Sequence, residues 1–346
     1  TNASGTTSVH ADSVENLNTV TVAGAGGGSA GVAGTIAASV VVSHTEAGIG
    51  KQTKVNQDNS FANAAQSVDV KATDRVITVN ASGAGAGGGA AGVGATLNVT
   101  FAKNTTAAYI DNNAEVSAGK DVLVEASSEK FVNSAAIAGA GGGAAGVAGA
   151  VSVIAVGSLL DGEAKSGLGN GDAASYADGQ TTKSAVGDQL GNSAQASETR
   201  SVLDAKANKM AVGSHMDDST ANIPLNNTQA FIGAGAKVKA GEDVGVTASD
   251  KTIAIVAAGA GAGGGAAGVA GSFGVVLLHD SAEAFIADGA QVNAKQHTDV
   301  KATTSENVFN VGITGSGAGA ADVSASFVVN VVSSDTAAYI GDADVN

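Results

Sequence analysis

Apolar and polar residues alternate with a period of two through much of this chain. In Ala95–Phe101, Leu97, Val99 and Phe101 alternate with Thr96, Asn98 and Thr100, which places the apolar set on one face of a strand. In Asp121–Ala126, Val122 and Val124 recur at every second position around Leu123 and Glu125. Turn chemistry punctuates these stretches, as at Asp111-Asn112-Asn113 and Ala118-Gly119-Lys120, where Asn, Asp and Gly tolerate the backbone angles of a reversal. Three other runs, Val151–Val156, Val275–Leu278 and Phe327–Val332, carry apolar residues at successive positions. That is the pattern of a strand buried on both faces. The predicted elements are short strands joined by turns.

The strands belong to repeats. A Gly/Ala stretch recurs as AGAGGGSAGVAG (23–34), AGAGGGAAGVGA (84–95), AGAGGGAAGVAG (138–149 and 260–271) and GSGAGAADVSA (315–325). Aligned on Val32, Val93, Val147, Val269 and Val323, the copies are spaced by 61, 54, 122 and 54 residues. The long interval is one 54-residue repeat plus an insertion of about 68 residues. A second phrase follows in fixed phase: AYIDNNAEVSAGKDVLVEAS (108–127), AFIGAGAKVKAGEDVGVTAS (230–249), AFIADGAQVNAKQHTDVKAT (284–303) and AYIGDADVN (338–346). The last copy stops within the phrase, so a longer chain is expected to continue past Asn346. The fold expected is all-β: a parallel β-solenoid, or β-helix, of 54-residue repeats with two to three turns per repeat. Glycine allows backbone to approach backbone closely, so the Gly/Ala strands suit a thin part of such a coil.

The insertion separates solenoid repeats at 1–161 from solenoid repeats at 230–346 and occupies 162–229. It is richer in Ser, Asp, Gln and Lys and contains the single proline, Pro224. Ser197–Met210 reads as an amphipathic helix capped by Ser197, with Leu203, Ala207 and Met210 on one face. Asp172–Leu190 reads as a weaker helix or ordered loop. Long insertions project from solenoids and often meet partners; passive cover of the coil is the competing reading. The candidate contact residues are Tyr176, Arg200, Lys206, Lys209 and His215.

Composition narrows the picture. The chain of 346 residues has 50 Gly, 1 Pro, no Cys and no Trp. Collagen is excluded by the missing three-residue period and the scarcity of proline. A bulk-packed globular core is disfavoured, because Gly and Ala bury little area against the entropy of ordering. A net charge of −15 argues against a nucleic-acid partner. The lack of Cys removes disulfides, thiolate nucleophiles and Cys-ligated metals. Thr1-Asn2-Ala3-Ser4-Gly5 is no signal peptide, so a mature segment or excised fragment is expected. Ser134–Leu160 is uncharged over 27 residues, but its Gly-Gly-Gly and missing basic flanks disfavour a membrane helix. No membrane insertion is expected.

Catalytic motifs are sparse. Gly27-Gly28-Ser29-Ala30-Gly31 matches a nucleophile elbow, yet the other repeats carry Ala90, Ala144, Ala266 and Ala320 where it has Ser29. The many G-x-G-x-x-G matches precede no amphipathic helix. His10, His44, His215, His279 and His297 lack ligand spacing. Gly167–Asp172 is a single imperfect copy of a calcium-binding glycine–aspartate turn. Glu242-Asp243 aligns with Lys120-Asp121, a solvated turn, and Asp217-Asp218 flanks the expected helix. No catalytic residue, cofactor or metal is assigned.

The AGAGGGAAGVAG runs, their Val-rich strands and the A-[YF]-I-x-x-x-A-x-V-x-A-G-x-D-V-x-V-x-A phrase resemble the large filamentous, leukotoxin-like adhesins of bacterial surfaces, of filamentous-haemagglutinin or autotransporter type. The resemblance covers the chain outside residues 162–229. It implies a β-solenoid stalk exported through an outer-membrane pore and displayed on, or shed from, a Gram-negative cell. The expected function is non-enzymatic: a monomeric, stiff extracellular spacer presenting loops to a protein or glycan receptor on host cells or other bacteria. Two alternatives stand beside it, a fragment of a secreted leukotoxin-type toxin and a carbohydrate-active β-helix enzyme.

Overall fold

A computed structural model describes residues 2–58, 63–157 and 227–346. Among these the chain is all-β, with no helix, and its sheets pair in parallel. Each repeat contributes two long strands and a short one. The first long strands are β1 (Thr7–Gly27), β4 (Val68–Gly88), β7 (Val122–Gly142), β11 (Val244–Gly264) and β14 (Thr298–Ala318), forming sheet A in that order. The second are β2 (Ala30–Ile49), β5 (Ala91–Ile110), β8 (Ala145–Gly157), β12 (Ala267–Ile286) and β15 (Ala321–Ile340), which form sheet B with β9 (Thr228–Ile232). The short ones are β3 (Lys54–Val55), β6 (Glu115–Ser117), β10 (Lys237–Ala240), β13 (Gln291–Ala294) and β16 (Asp344–Val345), forming sheet C.

Each repeat therefore places one strand in each sheet, in place of the two to three turns expected. The long Gly/Ala and alternating segments do not break into several short strands. They run on as single strands of 20 or 21 residues wherever a full copy is described. Register follows the sequence repeat residue by residue: Val68 pairs with Val122, Val122 with Val244, and Val244 with Thr298. β8 and β9 share the third place in sheet B, since Gly157 pairs with His279 and Thr228 with Ala282. The chain thus leaves the sheet at Gly157 and re-enters it at Thr228. Of the element expected at 162–229, residues 162–226, including the helix at 197–210, lie outside the described residues.

Sheets A and B face each other and diverge from a sharp bend. At that bend, residues such as Gly28-Ser29 and Gly89-Ala90 join the two long strands of a repeat. Here the sheets are too close for side chains: a Cβ on Gly92 would lie 2.3 Å from the Gly141 carbonyl oxygen, and one on Gly146 the same distance from that of Gly263. Further along comes a layer of Ala136, Ala138, Ala148, Ala150, Ala260 and Ala262. Beyond it lie Val132, Ile154, Val156, Val256, Val276 and Leu278. Sheet C closes the wide end over Val68, Val122, Val244, Ile110, Ile232 and Val238. Away from the bend Gly thus gives way to Ala, and then to Val, Ile and Leu mixed with Ala.

The runs at Val151–Val156 and Val275–Leu278 are buried on both faces, as expected: Val153 and Leu277 pack on one side, Ile154 and Leu278 on the other. Phe327–Val332 departs from that expectation, with Phe327 61% and Val332 49% exposed. These residues sit on β15, which has one strand neighbour, β12, instead of two.

The closeness at the bend yields a paired prediction. Gly92→Ala should destabilise the fold by about 1–3 kcal/mol, because the methyl collides with backbone. Gly141→Ala on the same contact should be tolerated, since its Cβ would meet nothing within 4 Å. Urea unfolding of the two variants beside the parent chain measures the difference.

Candidate functional site

The expected contact residues Tyr176, Arg200, Lys206, Lys209 and His215 lie outside the described residues, as do Gly167–Asp172 and Asp217-Asp218. Four features of the described residues bear on function.

The outer face of sheet A carries charge ladders. Lys71 Nζ lies 3.5 Å from Glu125, Arg75 Nε 3.5 Å from Glu129, and Lys251 Nζ 3.0 Å from the other oxygen of Glu129. All are exposed, so each pair contributes little to stability. Alternating signs still disfavour a slipped register. Glu242-Asp243 behaves as a stacked turn: Lys120 Nζ is 2.7 Å from Asp121 and 3.8 Å from Glu242, and His297 Nδ1 is 3.0 Å from Asp243. Ser29 sits in an exposed bend between β1 and β2, and its carbonyl oxygen accepts from the amides of Ala90 and Ala91. That is a strand–bend–strand setting, not the strand–turn–helix a nucleophile elbow requires.

Sheet C presents a shallow polar trough. Gln57, Glu115, Lys237, Lys239, Gln291 and Asp344 line it. Glu115 and Asp344 fall three repeats apart on this ladder, a separation of about 14 Å at the spacing of paired strands. They cannot work on one bond as a carboxylate pair. Among the described residues no three His, Asp or Glu side chains gather as a metal set.

Sheet B carries an aromatic column on its outer face. Tyr109, Phe231, Phe285 and Tyr339 stack with ring centroids 5.2, 5.1 and 5.1 Å apart and interplanar angles of 12°, 5° and 2°. The column ends over Gly48, where a Cβ would fall 2.4 Å from the Tyr109 ring. Tyr109 donates its hydroxyl to Glu46, and Tyr339 donates to Glu283 at 2.9 Å. Beside the column runs an apolar belt on the same face. Val153 and Leu277 there are buried, while Val42 in the first repeat and Phe327 in the fifth are exposed. The positions where the chain leaves and re-enters the sheet, Gly157 and Thr228, adjoin this belt.

The interior holds charge as well. Lys130 Nζ lies 2.5 Å from Asp250 and 3.0 Å from Asp280, with all three side chains at most 3% exposed. Thr228 donates to the second oxygen of Asp250 at 2.9 Å. Burial opposes the Lys130 charge, but the two carboxylates outweigh it and hold the ammonium above its ordinary range. Two acids against one ammonium leave an excess negative charge. Burial, reinforced by the charge of Asp280, pushes Asp250 up to about 6. One repeat boundary away, burial pushes Asp74 up to about 6, with the charge of Glu15 acting in the same direction.

Sequence reading missed the interior charges and the aromatic column, although both left signals. Asp74 shares strand parity with the inward Val68, Val70 and Val76, and the column is the [YF] of the A-[YF]-I phrase. No protein-family model, no curated protein and no solved structure matches the chain.

Two outcomes follow from the buried charges. Lys130→Met should destabilise the protein by about 3–5 kcal/mol, since it leaves two buried carboxylates without a counter-charge; chemical unfolding at pH 7.5 measures this. The native state also holds the protons of Asp74 and Asp250 more tightly than the unfolded chain does. Their contribution to stability is present below about pH 4 and is lost as pH rises through about 6. Asp74→Asn should flatten the fall in denaturation midpoint across that window.

Proposed function

We propose that this chain is a segment of a β-solenoid belonging to a large extracellular bacterial adhesin, where it acts as a stiff scaffold rather than a catalyst. The observation that carries this reading is the residue-by-residue parallel register of successive repeats through all three sheets. Every repeat is tied to the next along long strands by hydrogen bonds, and a pull along the stack is shared among them. Each repeat adds only about 4.8 Å to the stack, while its 20-residue strands span about 65 Å across. The element is a broad blade more than a thin thread, and breadth offers surface.

The adhesin reading also draws on the family resemblance of the Gly/Ala and A-[YF]-I repeats. The absence of Cys from the chain suits a protein whose stacked repeats replace disulfides outside the cell. The insertion at residues 162–229 is the surface assigned to attachment, since long insertions carry contacts that the strands of a repeat scaffold do not. Tyr176, Arg200, Lys206, Lys209 and His215 are its contact residues, and the receptor is a protein or glycan on a host or bacterial surface.

Binding of the fluorescently labelled chain to epithelial cells tests the proposal, beside a version with residues 162–226 replaced by a short Gly-Ser link. The parent chain should bind saturably, and the shortened version should lose at least tenfold in bound fluorescence while keeping its β-type circular dichroism. Saturable binding by neither version would remove the adhesive role from this segment. Release of cell contents by the parent chain would favour the toxin alternative.

A further inference from the structure

The two inward rows that hold the Lys130 cluster reverse their charge in the first two repeats. Along one row the register places Ser13, Asp74, Ser128, Asp250 and Thr304 in line. Along the next it places Glu15, Val76, Lys130, Thr252 and Glu306 in line. Lys130 of the third repeat thus stands to Asp250 of the fourth as Glu15 of the first stands to Asp74 of the second. Where the later pair is ammonium against carboxylate, the earlier one is carboxylate against carboxylate.

The neighbours do not resolve the conflict. Asp74 is 1% exposed, and neither of its carboxylate oxygens has a hydrogen-bond partner. The Oε2 atom of Glu15 is likewise buried and unpartnered. Its other oxygen accepts from Ser13 and, at 3.0 Å, from Ser43 on the facing sheet. Ser43 and Asn104 stand close enough to Asp74 to favour its charged form, but neither completes a hydrogen bond to it. Three orphaned carboxylate oxygens with a hydroxyl between the two acids make a hard, oxygen-rich pocket of formal charge −2. Two buried carboxylates with no counter-charge beside them are strongly unfavourable, and a hard divalent cation that takes oxygen ligands matches both the charge and the oxygen atoms.

We propose that Glu15, Asp74 and Ser43 form an interior calcium site between the first two repeats, with the cation in the role that Lys130 plays between the third and fourth. Calcium here ties β1 to β4 and both to sheet B, so it stabilises the end of the stack at the first repeat. The remaining coordination positions belong to water or to the Asn104 amide.

Thermal unfolding and titration calorimetry of the chelator-treated full chain test this, with CaCl2 compared against NaCl at equal ionic strength. The parent chain should bind one calcium at this site. Its Tm should rise by roughly 5 °C at a hundredfold excess over Kd. Asp74→Asn should abolish that rise. Glu15→Lys should also abolish it while raising the calcium-free Tm, because its ammonium recreates the Lys130–Asp250 arrangement. Absence of calcium binding by the parent chain overturns the proposal, and so does an undiminished calcium response in both variants, which would place the bound ion on the acidic surface. A pH-dependent Tm that ignores calcium assigns the pocket to a shared proton instead.

Discussion

Parallel pairing of each residue with its own equivalent in the next repeat is the constraint on which the remaining structure depends. Backbone hydrogen bonds set the spacing of neighbouring strands at about 4.8 Å, and the 54-residue period keeps equivalent positions opposite one another. Every row of side chains then has to be compatible with copies of itself at that spacing. Flat rings satisfy the requirement by stacking, as in Tyr109, Phe231, Phe285 and Tyr339. Small β-branched residues satisfy it by close packing, as in Val68, Val122 and Val244. Charges satisfy it only when sign alternates, as on the outer face of sheet A at Lys71 and Glu125.

Across each repeat a second constraint operates, the gap between sheets A and B. The gap is narrowest at the Gly bend, so the same strand needs Gly there, Ala beyond it, and Val, Ile or Leu mixed with Ala towards sheet C. Composition follows from this geometry. The many glycines that exclude an ordinary core are concentrated where backbone meets backbone, at contacts such as Gly92 on Gly141. A chain with so little apolar area per residue folds because each long strand inside the stack has two neighbours and its inward face a third partner.

Polar rows inside the wedge are where the repeats stop being interchangeable. Ser134 and Ser152 satisfy each other at 2.7 Å, and Asn98 donates to the carbonyl oxygens of Asn80 and Ala135. These neutral rows need no counter-charge, although Asn80 Oδ1, Asn98 Oδ1 and Thr78 Oγ1 are left without hydrogen-bond partners. The charged rows do need one, since Lys130 faces two acids and Asp74 faces Glu15 with no cation beside it. A repeat protein can vary its surface cheaply, but a buried charge has to be answered in the next repeat or by a bound ion. The interior rows thereby make the boundary at Asp74 and the boundary at Lys130 differ in charge on a common backbone.

The period, the strand parity and the turns at Asn112-Asn113 and Gly119-Lys120 were all legible in the chain, because they are local: a strand has a two-residue period and a reversal needs Gly, Asn or Asp. The double burial of Val153 and Ile154 was legible for the same reason. The number of strands per repeat was not, because nothing local distinguishes a break from a Gly/Ala segment that continues as one strand of about 20 residues; only the facing sheet decides that. Nor could the sequence show that Lys130, Asp250 and Asp280, 150 residues apart at the extremes, share one dry pocket while Glu15 takes the lysine's place beside Asp74. Parity marked each of these as inward. The partners depend on register between repeats and on which strand of sheet B lies opposite, and tertiary structure alone fixes both, since pairing energy accrues only when distant segments are brought side by side.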